Sequence, residues 1–404
     1  MDVIFLDNGL IGRGEHSYSL LKRTGSSLAG RGLRFRTFGA KSMAPSVAAE
    51  LGAEPHFNFT LYSKQSRRLL SRIARLEWEP VRSAERATWQ ILNRSFERDL
   101  DALPADVWCA GNLVVIPGLS QNELFGLIRF LLAKPEARRP RVICQLMFPP
   151  TWTSWGLPAR LGKEFYRKSF ALAQPLIGKT LFFMTENAAL GRLYQTEFGV
   201  DAKILPVPFG DAPPAASSRD APTFGFFGYS KRDKGFHLLP RAIENCRKAG
   251  IAANFTIQLQ HSGWEPETVA AEEALRKVSG VRLIEGVLDE DAYIEETSQI
   301  DVMLLPYDPA LFGMRGSGIF TQSVAAGRPL VASAGTFAAA SIEAGQAEGE
   351  IFSPYDAGNL SAAILRVASR FPESRSRAMK LAPEFARKHS ADAYVDVLLA
   401  HAPR

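Results

Sequence analysis

Short runs of β-branched and aromatic residues alternate with longer stretches of helical periodicity almost from end to end of the chain. That alternation predicts parallel sheets wrapped by helices. In the first half, strands are expected near Val3–Leu6, Leu33–Phe38, Val107–Cys109, Val142–Leu146, Leu181–Met184 and Lys203–Val207. The second half repeats the pattern near Thr223–Phe227, Asn254–Leu259, Val281–Ile284, Val302–Leu305, Leu330–Ala332 and Glu350–Phe352. The longest apolar run, Leu124–Ala133, carries Arg129 and falls short of the roughly 18 residues of a membrane span, so it reads as a buried helix.

Between the halves, Pro206-Val-Pro208-Phe-Gly-Asp-Ala-Pro213-Pro214 and the small residues after it have the composition of an exposed linker. The expected fold is α/β, with a Rossmann-like domain over residues 1–208 and a second over 209–384, facing each other across a cleft. A terminal helical stretch, 385–404, is expected to pack back on the first domain. Each half has enough strands for its own doubly wound sheet, and ligands on such sheets bind beyond the carboxyl ends of the strands. A length of 404 residues suits two domains.

Composition, at 46% hydrophobic, is that of a soluble globular protein. Cys109, Cys144 and Cys246 stand far apart, without the spacing of a zinc site or a disulfide framework, which fits a reducing cytoplasm. The opening, Met1-Asp-Val-Ile-Phe-Leu-Asp7, contains no basic-then-apolar leader. A formal net charge of +6 favours anionic partners without choosing among nucleotide diphosphates, lipid phosphates, membrane surfaces and nucleic acid.

Two loops carry sharper chemistry. Thr223-Phe-Gly-Phe-Phe-Gly228 breaks into Tyr229-Ser-Lys-Arg-Asp-Lys234-Gly235 ahead of a helical pattern. A glycine at the carboxyl end of a strand lets backbone approach a ligand, and the following helix offers unpaired N–H groups beside three cations. Leu311-Phe-Gly-Met-Arg315-Gly316-Ser317-Gly318-Ile319 repeats the device before another helix. Together they could grip one diphosphate. The plainer reading makes these cations solvated loop side chains. The Gly228 spacing favours function for Lys234, Arg232 and Arg315 stay open, and Lys231 is expected to be exposed.

In order and spacing, the second half resembles the donor-binding domain of GT-B glycosyltransferases, especially family 4, whose members are mostly retaining and sugar-nucleotide-dependent. Gly228 followed by Lys234-Gly235 is similar to the family's strand-end glycine and diphosphate-binding Lys-Gly. Val281-Arg-Leu-Ile-Glu-Gly286-Val287-Leu288 resembles the element whose backbone meets the base. Asp301-Val-Met-Leu-Leu-Pro306 and Ala325-Ala-Gly327-Arg-Pro329-Leu-Val-Ala-Ser333 resemble two further segments. The first half resembles the family through Gly9-Leu-Ile-Gly12-Arg13-Gly14-Glu15-His16 and Lys203-Ile-Leu-Pro-Val-Pro-Phe-Gly210.

The resemblance implies transfer of a sugar from a nucleotide-diphosphate sugar to a glycan or lipid-linked acceptor, with retention, in cell-surface polysaccharide or glycoconjugate synthesis. It implies no cofactor, no metal and no nucleic-acid partner. Lys234 with Arg232 or Lys231, and the amides of Gly316, Ser317, Gly318 and Ile319, would stabilise the departing diphosphate. Gly228, Tyr229, Val287, Leu288, Arg315 and Gln322 would line the donor site. His261 either joins them or sits on a surface turn. Glu15 or His16 would orient the acceptor hydroxyl beside Gly12, Arg13 and Gly14, unless the segment is only a tight turn with an acid in the first helical turn. Trp152 and Trp155 either stack on an acceptor sugar or pack within their own loop.

Departures from the family keep a second class open. Its two glutamates, eight positions apart, fall on Met314 and Gln322, and the histidine after the fourth strand has no counterpart in Gln145-Leu-Met147-Phe148-Pro149. A nucleotide-sugar-binding scaffold without transfer fits those substitutions. A sugar-nucleotide epimerase would need a cluster of acids and histidine that the sequence does not offer. Asp289-Glu-Asp291 has the Asp-x-Asp spacing of a manganese site, but it opens a helix, where Asp289 as an N-cap accounts for it. From Lys64 to Asp99 the chain holds eight arginines and one lysine against five acids. That stretch is either a basic amphipathic surface for peripheral contact with an anionic membrane or a core-packed helix pair with a solvated face.

Overall fold

A computed structural model of the chain describes residues 1–13, 16–58, 79–152, 160–208, 221–261 and 265–403, with backbone alone for 79–84 and 261. Gly14, Glu15, Trp155, the linker 209–220 and residues 64–78 of the basic stretch beginning at Lys64 lie outside the described residues. The chain divides into two compact units, Met1–Pro208 with Ala391–Arg404, and Phe209–Ser390.

In the first unit, β1 (Asp2–Asp7), β2 (Arg34–Ala40), β3 (Ala53–Phe57), β4 (Leu113–Ile116), β5 (Arg141–Gln145), β6 (Leu181–Thr185) and β7 (Ala202–Ile204) pair in parallel, in the order β3-β2-β1-β4-β5-β6-β7. In the second, β8 (Thr223–Phe226), β9 (Tyr229–Ser230), β10 (Asn254–His261), β11 (Val281–Glu285), β12 (Val302–Leu305), β13 (Leu330–Ser333) and β14 (Gly349–Phe352) form the order β11-β10-β8-β12-β13-β14, with β9 against β10. Both are Rossmann-like α/β sheets. The strand order reverses between β1 and β4 in one and between β8 and β12 in the other, and those reversals open the crevices where such sheets hold ligands.

The parallel arrangement follows from unbroken apolar strands. Leu113–Ile116, Val302–Leu305 and Leu330–Ser333 are buried throughout, as strands covered by helices on both faces must be. Phe224, Phe226, Phe236 and Phe255 share one core cluster of the second unit, each contributing about 1.5–3 kcal/mol of burial.

Several elements differ from the sequence expectation, which included neither β4 nor β9. Val107–Cys109 is not a strand, because Pro104 and Ala110-Gly111 leave too short an apolar run. Ala105–Trp108 is instead a 3-10 turn that sends Trp108 against Phe130, its indole N–H donating to Leu100 O. β3 was not anticipated because Pro55 interrupts it, which an edge strand tolerates. The helical stretch expected over 385–404 is split at His389-Ser390 between the helices Phe371–Lys388 and Ala391–Leu399. Tyr394, Val395 and Leu398 of the latter join the core of the first unit, and Arg31 pairs with Asp396 at 2.6 Å.

Leu124–Ala133 lies, as expected, in a largely buried helix, Gln121–Ala133, with Arg129 turned out toward Glu97. Among the described residues no helix is long and apolar enough to cross a membrane. Cys109, Cys144 and Cys246 are all free thiols.

Candidate functional site

The two loops singled out by sequence leave the neighbouring parallel strands β8 and β12, so they flank the reversal in the second sheet. Gly228 has φ 92° and donates its N–H to Gln258 Oε1 at 2.8 Å. The chain then makes a 3-10 turn, Arg232–Lys234, closed by Gly235 at φ 72°. Gly235 is packed against the end of β12 so closely that a Cβ there would lie 1.7 Å from Pro306 O. That contact brings Lys234 back over Gly228, where a Cβ would meet Lys234 Nζ at 2.7 Å and Ile319 at 3.1 Å.

Lys234 is the electrostatic centre of the loop. Desolvation is the main effect on its amine, and with repulsion from Lys231 and Arg315 it outweighs the attraction of Asp233, lowering the pKa to about 8. Among the described residues no carboxylate lies within ion-pair distance of Nζ. Arg315 stacks over Phe312 at 4.4 Å, with Nη1 3.6 Å from Asp233 Oδ2. The other oxygen of that carboxylate, Asp233 Oδ1, is buried without a hydrogen-bond partner.

The second loop ends on Ser317, N-cap of the helix Gly318–Ala325, whose hydroxyl accepts from Phe320 N–H at 3.3 Å and lies 3.1 Å from Tyr307 Oη. Tyr307 is buried at the end of β12, and its carbonyl accepts from the Ser333 hydroxyl. The first amides of that helix, with Lys234 and Arg315, give the crevice a set of donors and positive charge suited to a diphosphate.

The remaining donor-side candidates fall into place unequally. Arg232 is not brought to Lys234: it forms a bidentate pair with Glu267 at 2.6 and 2.7 Å, and its N–H donates to Glu265, because the helix Pro266–Leu275 presents acids to it. Lys231 lies over the Tyr229 ring at 5.1 Å, with Tyr229 itself exposed. Val287 is exposed beyond β11, while Leu288 packs on the core. Gln322 Oε1 accepts from Tyr293 Oη at 3.0 Å. His261 ends β10; its side chain is not described. Asp289 is an N-cap, accepting from Ala292 N–H at 2.9 Å. Among the described residues no group of three or more His, Cys, Asp or Glu is placed to hold a metal.

In the first unit, Gly12 follows β1 with open space around it. Arg13 is exposed and pairs with Glu50 at 2.9 Å. His16 begins the helix His16–Gly30 with Nε2 4.0 Å from Glu186 Oε1. Trp152 stacks on Phe148 with ring centroids 3.5 Å apart.

Sequence reasoning missed Gln258, which is 2% exposed and joins both glycine turns, accepting from Gly228 and donating to Gly286 O at 2.9 Å. The available signal was a glutamine inside the apolar run Phe255-Thr-Ile-Gln-Leu259. Asp233 was read only as a neighbour of cations, and Tyr307 and Tyr293 were not considered.

Residues 221–370 match the family model described as Glycosyl transferases group 1. The matched stretch lies within the second unit. The whole chain is similar in fold to sucrose-phosphate synthase from Thermosynechococcus elongatus, with 11% identity, a TM-score of 0.63, and coverage of 99% of this chain and 100% of that one. It is also similar to Anabaena HepE, solved with UDP-glucose, at 13% identity, TM-score 0.62 and coverage of 99% and 98%. A third likeness is to the lipopolysaccharide outer core galactosyltransferase WaaB, at 11% identity, TM-score 0.60 and coverage of 99% of each chain. These likenesses identify a GT-B glycosyltransferase fold. No curated protein sequence matches the chain. The stretch that resembles Glycosyl transferases group 1 contains Gly228, Lys234 and Ser317.

Proposed function

We propose that the protein transfers a hexose-type sugar from a nucleotide-diphosphate sugar to a glycan or lipid-linked acceptor, with retention and without a metal, in cell-surface polysaccharide or glycoconjugate synthesis. The observation that carries the reading is the amine of Lys234 against Gly228, beside the helix start at Ser317. The Anabaena neighbour solved with UDP-glucose supports a nucleotide-sugar donor. A cytoplasmic setting, with peripheral contact to an anionic membrane, suits a lipid-linked acceptor.

In this mechanism the bond between the anomeric carbon and the diphosphate oxygen breaks, and negative charge develops on the leaving phosphate. Lys234 in its ammonium form, Arg315 and the amides of Gly318 and Ile319 stabilise that charge without reorganising. The acceptor hydroxyl attacks from the face the diphosphate leaves, and its proton passes to a departing phosphate oxygen. Glu15 or His16 would orient the hydroxyl.

Incubating the protein with a panel of sugar nucleotides and following the anomeric protons by NMR tests the reading. Slow hydrolysis or transfer of one donor, with the product released in the donor's anomeric configuration, is the expected result. Nucleotide binding without any turnover would leave the second reading, a nucleotide-sugar-binding scaffold. Met314 favours that alternative, because its thioether cannot supply the hydrogen-bond acceptor a carboxylate would offer the sugar.

A further inference from the structure

The helix Glu79–Asp101 has two sides of different chemistry. Trp89, Leu92, Phe96 and Leu100 are buried along one of them. There the helix lies on Gln121–Ala133: the Trp89 indole N–H donates to Gln121 O at 2.7 Å, Asn93 Oδ1 accepts from Gly126 N–H at 2.8 Å, and a Cβ on Gly126 would lie 2.2 Å from Asn93 O. Trp89 therefore belongs to the core and not to a surface. On the other side Arg86, Gln90, Arg94 and Arg98 follow at intervals of four, all exposed, so they form one stripe. Ile91 stands beside them, 61% exposed.

Core packing accounts for the first side and leaves the second unexplained. Among the exposed positions from Arg86 to Arg98 none is acidic. Arg86 reaches Glu164 at 3.3 Å, but among the described residues neither Arg94 nor Arg98 has an ion-pair partner. An ordinary solvated helix face interleaves both signs of charge. This one sets cations alone around an aliphatic side chain.

The charge of the chain is divided in the same sense. Of its 48 lysines and arginines, 29 fall in the first unit against 20 of the 42 acids, whereas the second unit holds 19 against 22. Residues 265–296 alone carry ten acids and three cations. An anionic surface therefore attracts the first unit and not the second.

Ile91 decides among anionic partners. Helices that lie on membranes seat cations among the headgroups while an aliphatic group enters the acyl boundary. A polynucleotide would meet the arginines but gain nothing from Ile91, and the stripe offers no exposed aromatic ring on which a base could stack.

We propose that the exposed side of Glu79–Asp101 binds an anionic lipid bilayer, with Arg94, Arg98 and Ile91 as its principal contacts. Its place in the proposed function rests on the peripheral membrane contact in that reading; the attraction itself does not depend on sugar transfer.

Co-sedimentation of the full chain with vesicles of phosphatidylcholine, alone or with a third phosphatidylglycerol, tests the proposal. Binding should require phosphatidylglycerol and be lost at high salt. An arginine near an anionic surface contributes about fivefold in affinity, so Arg94→Gln with Arg98→Gln should weaken binding about 25-fold, and Ile91→Ser should weaken it by a smaller factor. Arg241→Gln with Arg387→Gln removes the same charge from the second unit and should leave binding unchanged. All five positions are exposed, which keeps folding out of the comparison. No binding to the phosphatidylglycerol vesicles, equal effects of the two double substitutions, or tighter binding of polyuridylate that depends on Arg94 and Arg98 would overturn the proposal. Equal effects would keep the membrane contact and exclude this face. Vesicle binding without any nucleotide response would end the donor reading and leave this one standing; the reverse would end this inference alone.

Discussion

The amine of Lys234 occupies the space in which a side chain on Gly228 would begin, 2.7 Å from the position of its Cβ. Two glycines create that relationship. Gly228 leaves room for the amine and holds φ 92°, and Gly235 lets the turn press on Pro306. Gly228→Ala should cost about 1–2 kcal/mol of stability through its left-handed backbone and displace the amine, weakening nucleotide binding. Gly235→Ala should cost more than about 3 kcal/mol, because strain and a backbone overlap add. Urea denaturation of both variants checks the order; equal effects at the two positions would contradict it.

A lysine with pKa lowered to about 8 is charged at neutral pH and loses its charge as pH rises through that value. Affinity for a nucleotide diphosphate should therefore be steady up to about pH 7 and fall above about 8, with bound anion delaying the loss. Asp233→Asn removes the carboxylate that favours the ammonium form, so the fall should begin at lower pH. Calorimetric titration of the wild type and this variant from pH 6 to 9 measures both; superimposable profiles would exclude Asp233 from the charge balance.

Gln258 ties the turn after β8 to the turn after β11 through Gly228 and Gly286. Gln258→Leu preserves bulk while leaving a buried N–H and a carbonyl unpaired, at about 1–3 kcal/mol each. The expected result is a stability loss of about 2–4 kcal/mol together with weaker nucleotide binding. A stable variant with normal affinity would show that the two turns hold themselves.

Most strands of both sheets were legible because parallel strands buried on both faces read as unbroken apolar runs, although Leu113–Ile116, such a run, was passed over for the nearby Val107–Cys109. The Lys234 turn was legible because glycine and cation stand at fixed spacing. Less visible were features set by tertiary contact. Arg232 and Lys234 look alike in sequence, yet Glu265 and Glu267 capture one while burial isolates the other. Gln258 and Asp233 were obscured for a related reason, since their partners come from distant strands and loops. Val107–Cys109 misled because short apolar runs do not reveal whether the chain extends or turns.

Glu123 carries a further titration. Its carboxyl is raised from 4.5 to about 7, with burial the leading cause, so the folded state holds a proton that the unfolded chain releases. Stability should fall as pH rises from about 4.5 to 7, by up to about 3 kcal/mol from this group. Glu123→Gln should flatten that slope, as read from urea midpoints across the interval. An unchanged slope would place the titration elsewhere.

The central claim is that the second unit grips a diphosphate between Lys234 and the helix start at Ser317. Thermal unfolding with a panel of nucleoside diphosphates tests it most directly. One base should stabilise the protein by about 2.7 kcal/mol at a hundredfold excess over its dissociation constant, and Lys234→Ala should abolish the effect in a folded protein. No response to any nucleotide, or a full response in the Lys234→Ala variant, would contradict the account.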